Sequence, residues 1–589
     1  MTQMGLPVSM SDPPLTRERS GSDGRMANRW NKRNGKSPKV TLHPRLTGPA
    51  GEICADTGVP SARKLRGGYY TPAEMAAFLA EWAIRGPCVH VLEPSAGDGE
   101  IVAAAASRLA GQGHIIAVEL YADEAEKARV RGGPQATVIN ADFFAWFADT
   151  RPDGAFDAVL GNPPFIRYQD FPEEHRRIAF GLMHEEDLHP SRLTNAWLPF
   201  VTVATRALRI GGRLALVLPA ELLQVSYSAE LREYLTRKYS DLTVVTFRKL
   251  LFQGIQEETV LLLGVRGDSF GARMSFVELD GLDDLRLDRV NGNGRVNVDL
   301  DHAREKWTQY YLSPAELGLI RELEQSDAFT RLGELAEIDV GIVTGRNEFF
   351  VLTAEEAKFH NLVLWCVPLV GRSAQIPGLV LRQDQWRKLA DEGGKCFLLQ
   401  LGDIERDALP QAALAYVRLG ERAGFHQQYK CRVRLPRWWN VPSMWVPNAF
   451  LLRQIQDGPR IIQNRAGATC TDTIHRVRTV KGIDPAWLAA ASLNSLTFAF
   501  AEIRGRSYGG GVLELEPTEA ESLPFPKPTG QPLPIDELDA WARRKGVQHV
   551  LAEIDRLVLK PVGLNTNEMQ VLRGIWRRLY QRRIARKRR

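Results

Sequence analysis

From Pro72 to Val265 the chain alternates short apolar runs with stretches of helical spacing, and that alternation limits the folds open to it. A helical pattern through Met75, Phe78, Leu79 and Trp82 comes first. Apolar runs follow at 89–92, 115–120, 136–139 and 156–160, with helical spacing at 101–109 and 123–131 and short connections marked by glycine. A helix is predicted over 195–209, leading through Gly211-Gly212 to a strand at 213–218. Runs at 244–247 and 259–265 read as a closing pair of strands around Gln253-Gly254. Strands that take turns with helices build a doubly wound, mostly parallel sheet, here of about seven strands. The fold class predicted is therefore α/β.

At 589 residues the chain is too long for one compact core. Residues 1–66, rich in Gly, Pro, Ser, Arg and Lys with no apolar period, read as a basic, mostly disordered arm. The sheet domain is expected over 67–270 and a connecting segment over 271–330. From about Leu332 the alternation is lost, and 331–530 reads as a separate mixed α/β domain; 531–589 reads as a helical basic tail. The net charge of +6 is unevenly spread: 1–66 carry +7, 571–589 carry +9, and 67–570 carry −10. The ends could thus reach a polyanion without shaping the core, or serve only as solubilising tails. No stretch nears the ~20 apolar residues of a membrane span, and the N-terminus lacks the apolar core of a secretory signal. The six cysteines are scattered with no C-x-x-C pair, so no metal site is expected and a cytoplasmic setting fits.

Chemistry concentrates where the apolar runs end. The first closes on Leu92-Glu93-Pro94-Ser95-Ala96-Gly97-Asp98-Gly99, a turn that lets backbone approach a ligand closely. The third glycine of a dinucleotide fingerprint is replaced by Val102. Glu93 and Asp98 would repel a phosphate but favour the cationic methionine end of a sulfonium cofactor. Glu119, with Leu120 beside it, ends the second run, where a carboxylate can accept from ribose hydroxyls. Asp142 and Phe143 follow the third, placed to accept from an adenine amine and to pack on its ring. The fourth ends in Gly161-Asn162-Pro163-Pro164-Phe165. The Asn162 side-chain oxygen and the Pro163 carbonyl could accept from both N–H bonds of an adenine N6 amine, localising its lone pair. Two prolines fix these acceptors beforehand, and Phe165 offers a ring to an extruded base. The bland alternatives are a structural turn at 93–99, caps at Glu119 and Asp142, and a rigid turn at 162–165.

Taken in order, these motifs resemble those of the amino-methyltransferases of restriction–modification systems, in the N6-adenine group with a C-terminal target-recognition domain. Gly68-Tyr69-Tyr70-Thr71-Pro72 is similar to the motif that in this group closes over the methionine end of the cofactor, so Tyr70, Thr71 and Pro72 join the candidate cofactor set. Leu250-Leu251-Phe252-Gln253-Gly254 is similar to a later motif whose aromatic, here Phe252, lies across the flipped base. The family commonly has Tyr where Phe165 stands; stacking needs only the ring. The segments 340–350 and 506–511 resemble the opening and close of the recognition domain. The resemblance implies a Rossmann-like sheet that uses S-adenosyl-L-methionine, with double-stranded DNA as partner. A nuclease in the same chain is a further alternative, but no Asp…Glu-x-Lys metal constellation stands in a folded segment outside the sheet domain, so a monomeric modification enzyme is expected, with a separate endonuclease of the same site as candidate second partner.

Residues 431–510 hold 11 Lys/Arg against 4 Asp/Glu in an otherwise acidic body. Arg432, Arg434, Arg437, Arg465, Arg476 and Arg506 are the candidate DNA contacts, since arginine holds phosphate or reads guanine edges. Each alone is equally a solvated surface charge. Two rival functions stay open: a methyltransferase of the same sheet acting on RNA or a protein glutamine, and a catalytically silent DNA-specificity component.

Overall fold

The computed structural model describes residues 70–251, 258–268, 271–292, 300–302, 305–508 and 510–585. The strands are β1 (Val89–Glu93), β2 (Gly113–Glu119), β3 (Ala136–Asn140), β4 (Phe156–Gly161), β5 (Leu208–Pro219), β6 (Tyr239–Phe247), β7 (Thr259–Arg266) and β8 (Arg273–Leu279). They form one sheet in the order β3-β2-β1-β4-β5-β7-β6-β8. β7 runs antiparallel to both its neighbours and every other pairing is parallel. The eighth strand exceeds the seven expected; it lies in the acidic stretch assigned to the connecting segment, and its full register with β6 makes it part of the sheet.

Strand geometry turns successive side chains to opposite faces, and each face has its own apolar partner. Val91, Ala158, Ala215, Val217, Leu261 and Leu263 pack beneath helices α1 (Ala73–Ala83), α2 (Glu100–Leu109) and α3 (Ala122–Gly132). Leu92, Val159, Leu214, Leu216, Val260 and Leu262 face α4 (Phe143–Thr150), α5 (Glu173–His184) and α6 (Trp197–Ala207). α6 is buried on all sides. On that face the core runs on unbroken into the C-terminal half.

Order changes direction at β1, which pairs with β2 on one side and β4 on the other. The carboxyl ends of β1 and β4 therefore flank a crevice, the usual ligand site of such a sheet. Beyond it lie sheets of five, four, three and two strands. Among the described residues no single helix is long and apolar enough to cross a membrane.

The last helix, α7 (Thr566–Ala585), is not a solvated tail. It buries Met569, Leu572, Ile575, Trp576 and Leu579. Four of its five arginines are paired: Arg573 with Asp555 at 2.6 Å, Arg578 with Glu316 at 2.7 Å, Arg582 with Glu258 at 3.3 Å and with Glu278, and Arg583 with Glu502 at 2.6 Å; Arg577 is exposed. Charge along the sequence left open contact with a polyanion or a solubilising tail; the described part of this segment clamps the C-terminal half to β8 and to the residue before β7.

Candidate active site

The crevice holds a cavity of about 310 Å³, within the range of small-molecule sites. It draws on all four strand ends named from the sequence: Pro94, Ser95 and Gly97 after β1, Glu119 and Leu120 at β2, Asp142 and Phe143 after β3, Asn162 and Pro164 after β4, together with Tyr70. The turn after β1 needs glycine at Gly99, where φ is +88° and a Cβ would come within 2.5 Å of the Ala128 backbone. That close approach presses α3 against the turn and brings Glu119 up to it.

Glu119 Oε2 accepts from the Gly97 amide at 2.8 Å and Oε1 from the Tyr121 amide at 2.9 Å. Burial pushes its pKa up, against the pull of those amides. Asp142 caps α4, Oδ1 accepting from the Ala145 amide at 2.9 Å; Oδ2 lies 3.3 Å from His175 Nδ1. Asn162 Nδ2 donates to Thr71 Oγ1 at 3.2 Å, and Ser95 Oγ donates to the Asn162 carbonyl at 3.4 Å. The first contact sets which end of the amide is oxygen, an assignment that rests on the hydrogen-bond network. Phe143 stacks on Phe200 with centroids 5.3 Å apart.

Glu93 lies under the cavity rather than in its wall. It is 1% exposed, touches the base of the 161–162 turn, accepts from the Ser95 amide through Oε1, and leaves Oε2 without a partner. Burial pushes its pKa well above the ordinary carboxylate value; the Ser95 amide pulls it down, and the Glu119 charge adds to the rise. A carboxyl held neutral by folding favours the folded chain most below the ordinary value of 4.5 and loses that contribution as pH climbs toward the raised one. Between pH 5 and pH 8 the wild type is therefore expected to lose more unfolding free energy than Glu93→Gln, which has no such proton to release. Urea denaturation at the two pH values measures the difference; equal losses would show that Glu93 is not held neutral.

Several candidates do not line this cavity, though Pro163 and Phe165 adjoin residues that do. Asp98 turns outward to Arg131 at 3.0 Å, so it serves the α2–α3 contact and not the cavity. Pro72 starts α1, Ala96 is buried with its amide on the Val118 carbonyl, Pro163 is buried, and Phe165 is half-buried next to the core. Phe252 lies outside the described residues. The wall also contains residues no motif announced: Tyr121, Glu124 and Lys127 from the start of α3, Ile166, Asp170, Phe171, Pro172 and His175 from the segment into α5, and Ala196 and Phe200 at α6. Their only sequence signal was position after a recognised strand end.

The arginines divide by partner. Arg476 is 3% exposed, bound to Asp339 at 2.8 Å and to the Val340 and Ser443 carbonyls. Its side chain is thus buried against protein partners rather than presented to solvent, unlike the exposed contact expected from the sequence. Arg434 donates to the carbonyls of Lys430, Asn440 and Thr344, Arg437 pairs with Asp403 and Glu405, Arg465 with Asp536, and Arg506 with Glu519. Arg432 is exposed, beside exposed Tyr429 and Val433.

Comparison with known proteins agrees with this architecture. Residues 114–252 match the family model of the Eco57I restriction-modification methylase, and 304–559 match that of the type II methyltransferase M.Eco57I, C-terminal domain. The type II methyltransferase M.AccI of Acinetobacter calcoaceticus is 20% identical over 479 residues, covering 78% of this chain and 84% of that protein. M.XamI of Xanthomonas campestris pv. amaranthicola is 24% identical over 479 residues, covering 78% and 85%. The solved type IIL restriction-modification enzyme MmeI, in complex with DNA, shares the fold with a TM-score of 0.51 at 12% identity, over 88% of this chain and 74% of that one. The chain is thus similar, over its sheet and over its C-terminal half, to type II restriction–modification methyltransferases.

Proposed function

We propose that this chain, a methyltransferase of the restriction–modification type, transfers a methyl group from S-adenosylmethionine to N6 of an adenine swung out of duplex DNA at a specific sequence. The observation that carries the reading is that Asn162 shares a cavity with Gly97, Glu119 and Asp142 and touches Ser95 and Thr71 directly. The charge of the wall supports the cofactor. Glu119, Glu124, Asp142 and Asp170 line it against one lysine among the described residues, Lys127, which is already paired with Glu124. Such a wall repels a pyrophosphate and favours a cation. The relatives' description as type II methyltransferases, and the DNA complex of MmeI, support the substrate.

When bound, the cofactor supplies an electrophilic methyl on a sulfonium. Glu119 would receive its ribose and Asp142 Oδ2 its adenine amine, with Phe143, Phe200 and Pro164 as apolar walls. Asn162 Oδ1 and the Pro163 carbonyl accept from the two N–H bonds of the target amine, which keeps the nitrogen lone pair aimed at the methyl. Phe165 stacks on the base. The proton freed once N6 is methylated passes to solvent.

Incubation with methyl-labelled S-adenosylmethionine and, in separate reactions, duplex DNA, RNA and total protein tests the reading. Label in duplex DNA alone is expected. Label in RNA or protein overturns the substrate, and cofactor bound without turnover on any DNA marks a specificity component.

A further inference from the structure

We propose that Glu124 is a second carboxylate for the cofactor's ribose, accepting a hydroxyl through Oε2; the inference rests on the S-adenosylmethionine reading above. Glu119, at the strand end, is already half spent: each of its oxygens accepts one backbone amide, leaving one lone-pair site apiece. Glu124, on the first turn of α3, lines the same cavity. Its Oε1 is held from two sides, by Tyr70 Oη at 3.0 Å and by Lys127 Nζ at 2.8 Å. These contacts fix the carboxylate in one orientation. Oε2 is buried and has no hydrogen-bond partner in the folded chain.

A buried carboxylate oxygen without a donor is unfavourable and persists where something else repays it. Glu119, the ribose acceptor of the reading above, stands beside Glu124 on this wall, so the ribose hydroxyls are the donors nearest to Oε2. Tyr70 thereby acquires a second part: besides lining the cavity, it aims Glu124. The arrangement also explains an acid on the cavity side of α3 where the helix needs none, since Asp123 already places a carboxylate in its first turn.

Titration of the full chain with S-adenosylhomocysteine and with its 2′-deoxy and 3′-deoxy analogues tests this by binding alone. Glu124→Ala is expected to weaken S-adenosylhomocysteine by about tenfold or more, as for a hydrogen bond to a charged group. One deoxy analogue should bind the wild type weaker by a similar factor, and Glu124→Ala should cost that analogue nothing further. Glu124→Gln, which keeps an acceptor for Tyr70, should show the same loss of discrimination, and this covers a loosening of the Tyr70 segment by alanine. An equal loss for the parent and both deoxy analogues overturns the inference. So does a loss confined to S-adenosylmethionine, which would make Glu124 a partner of the sulfonium charge. Wild type that binds no S-adenosylhomocysteine would instead remove the cofactor reading itself.

Discussion

Asn162→Ala is expected to cut methyl transfer to DNA by about 100- to 1000-fold, the scale of losing one donor or acceptor aimed at developing charge, while cofactor affinity changes only a few-fold. The asymmetry follows from where Asn162 stands. Its backbone and Thr71 contacts tie it to the cavity wall, but the ribose and adenine ends are served by Glu119 and Asp142 on other strands. Single-turnover rates with saturating cofactor, set beside direct binding, separate the two quantities. Parallel loss of both would make Asn162 a cofactor residue only; full activity would remove it from the chemistry.

The second large effect is on stability. Arg583 is 2% exposed, and its guanidinium serves Glu502, itself buried, together with the carbonyls of Ile455, Gln456 and Gly511. Arg583→Ala removes the guanidinium that Glu502 and three carbonyls share. Breaking a buried pair from one side costs about 3–5 kcal/mol, and the midpoint of urea denaturation should fall accordingly, with the C-terminal half most affected. A change below about 0.5 kcal/mol, usual for surface positions, would mean the helix is a detachable tail after all.

Much of the sheet was legible because its signals are local. β1 to β7 announce themselves as apolar runs, and Glu119, Asp142 and Asn162 converge because parallel strands must all present their carboxyl ends on one side. β8 was legible only in part: its Met274, Phe276, Val277 and Leu279 give a strand-like stretch among charged residues, but nothing local assigns it to the sheet, which its pairing with β6 does. His175 and Phe200 were not legible, since their helices reach the cavity by packing across the sheet face, which no local period encodes. The arginines mark the sharpest limit. Arg476 and Arg583 look like DNA contacts in a basic segment, yet their acids, Asp339 and Glu502, lie 137 and 81 residues away in the chain. Sequence reports a charge; burial depends on a partner that folding brings in.

Nucleoside analysis of DNA from cells that express the full chain, in a host with no adenine methylation of its own, bears most directly on the pairing of the Asn162 loop with the cofactor cavity. N6-methyldeoxyadenosine is expected with the wild type and none with Asn162→Ala. Methylated cytosine in its place, or DNA left unmodified by a wild-type chain that binds the cofactor, would contradict the account.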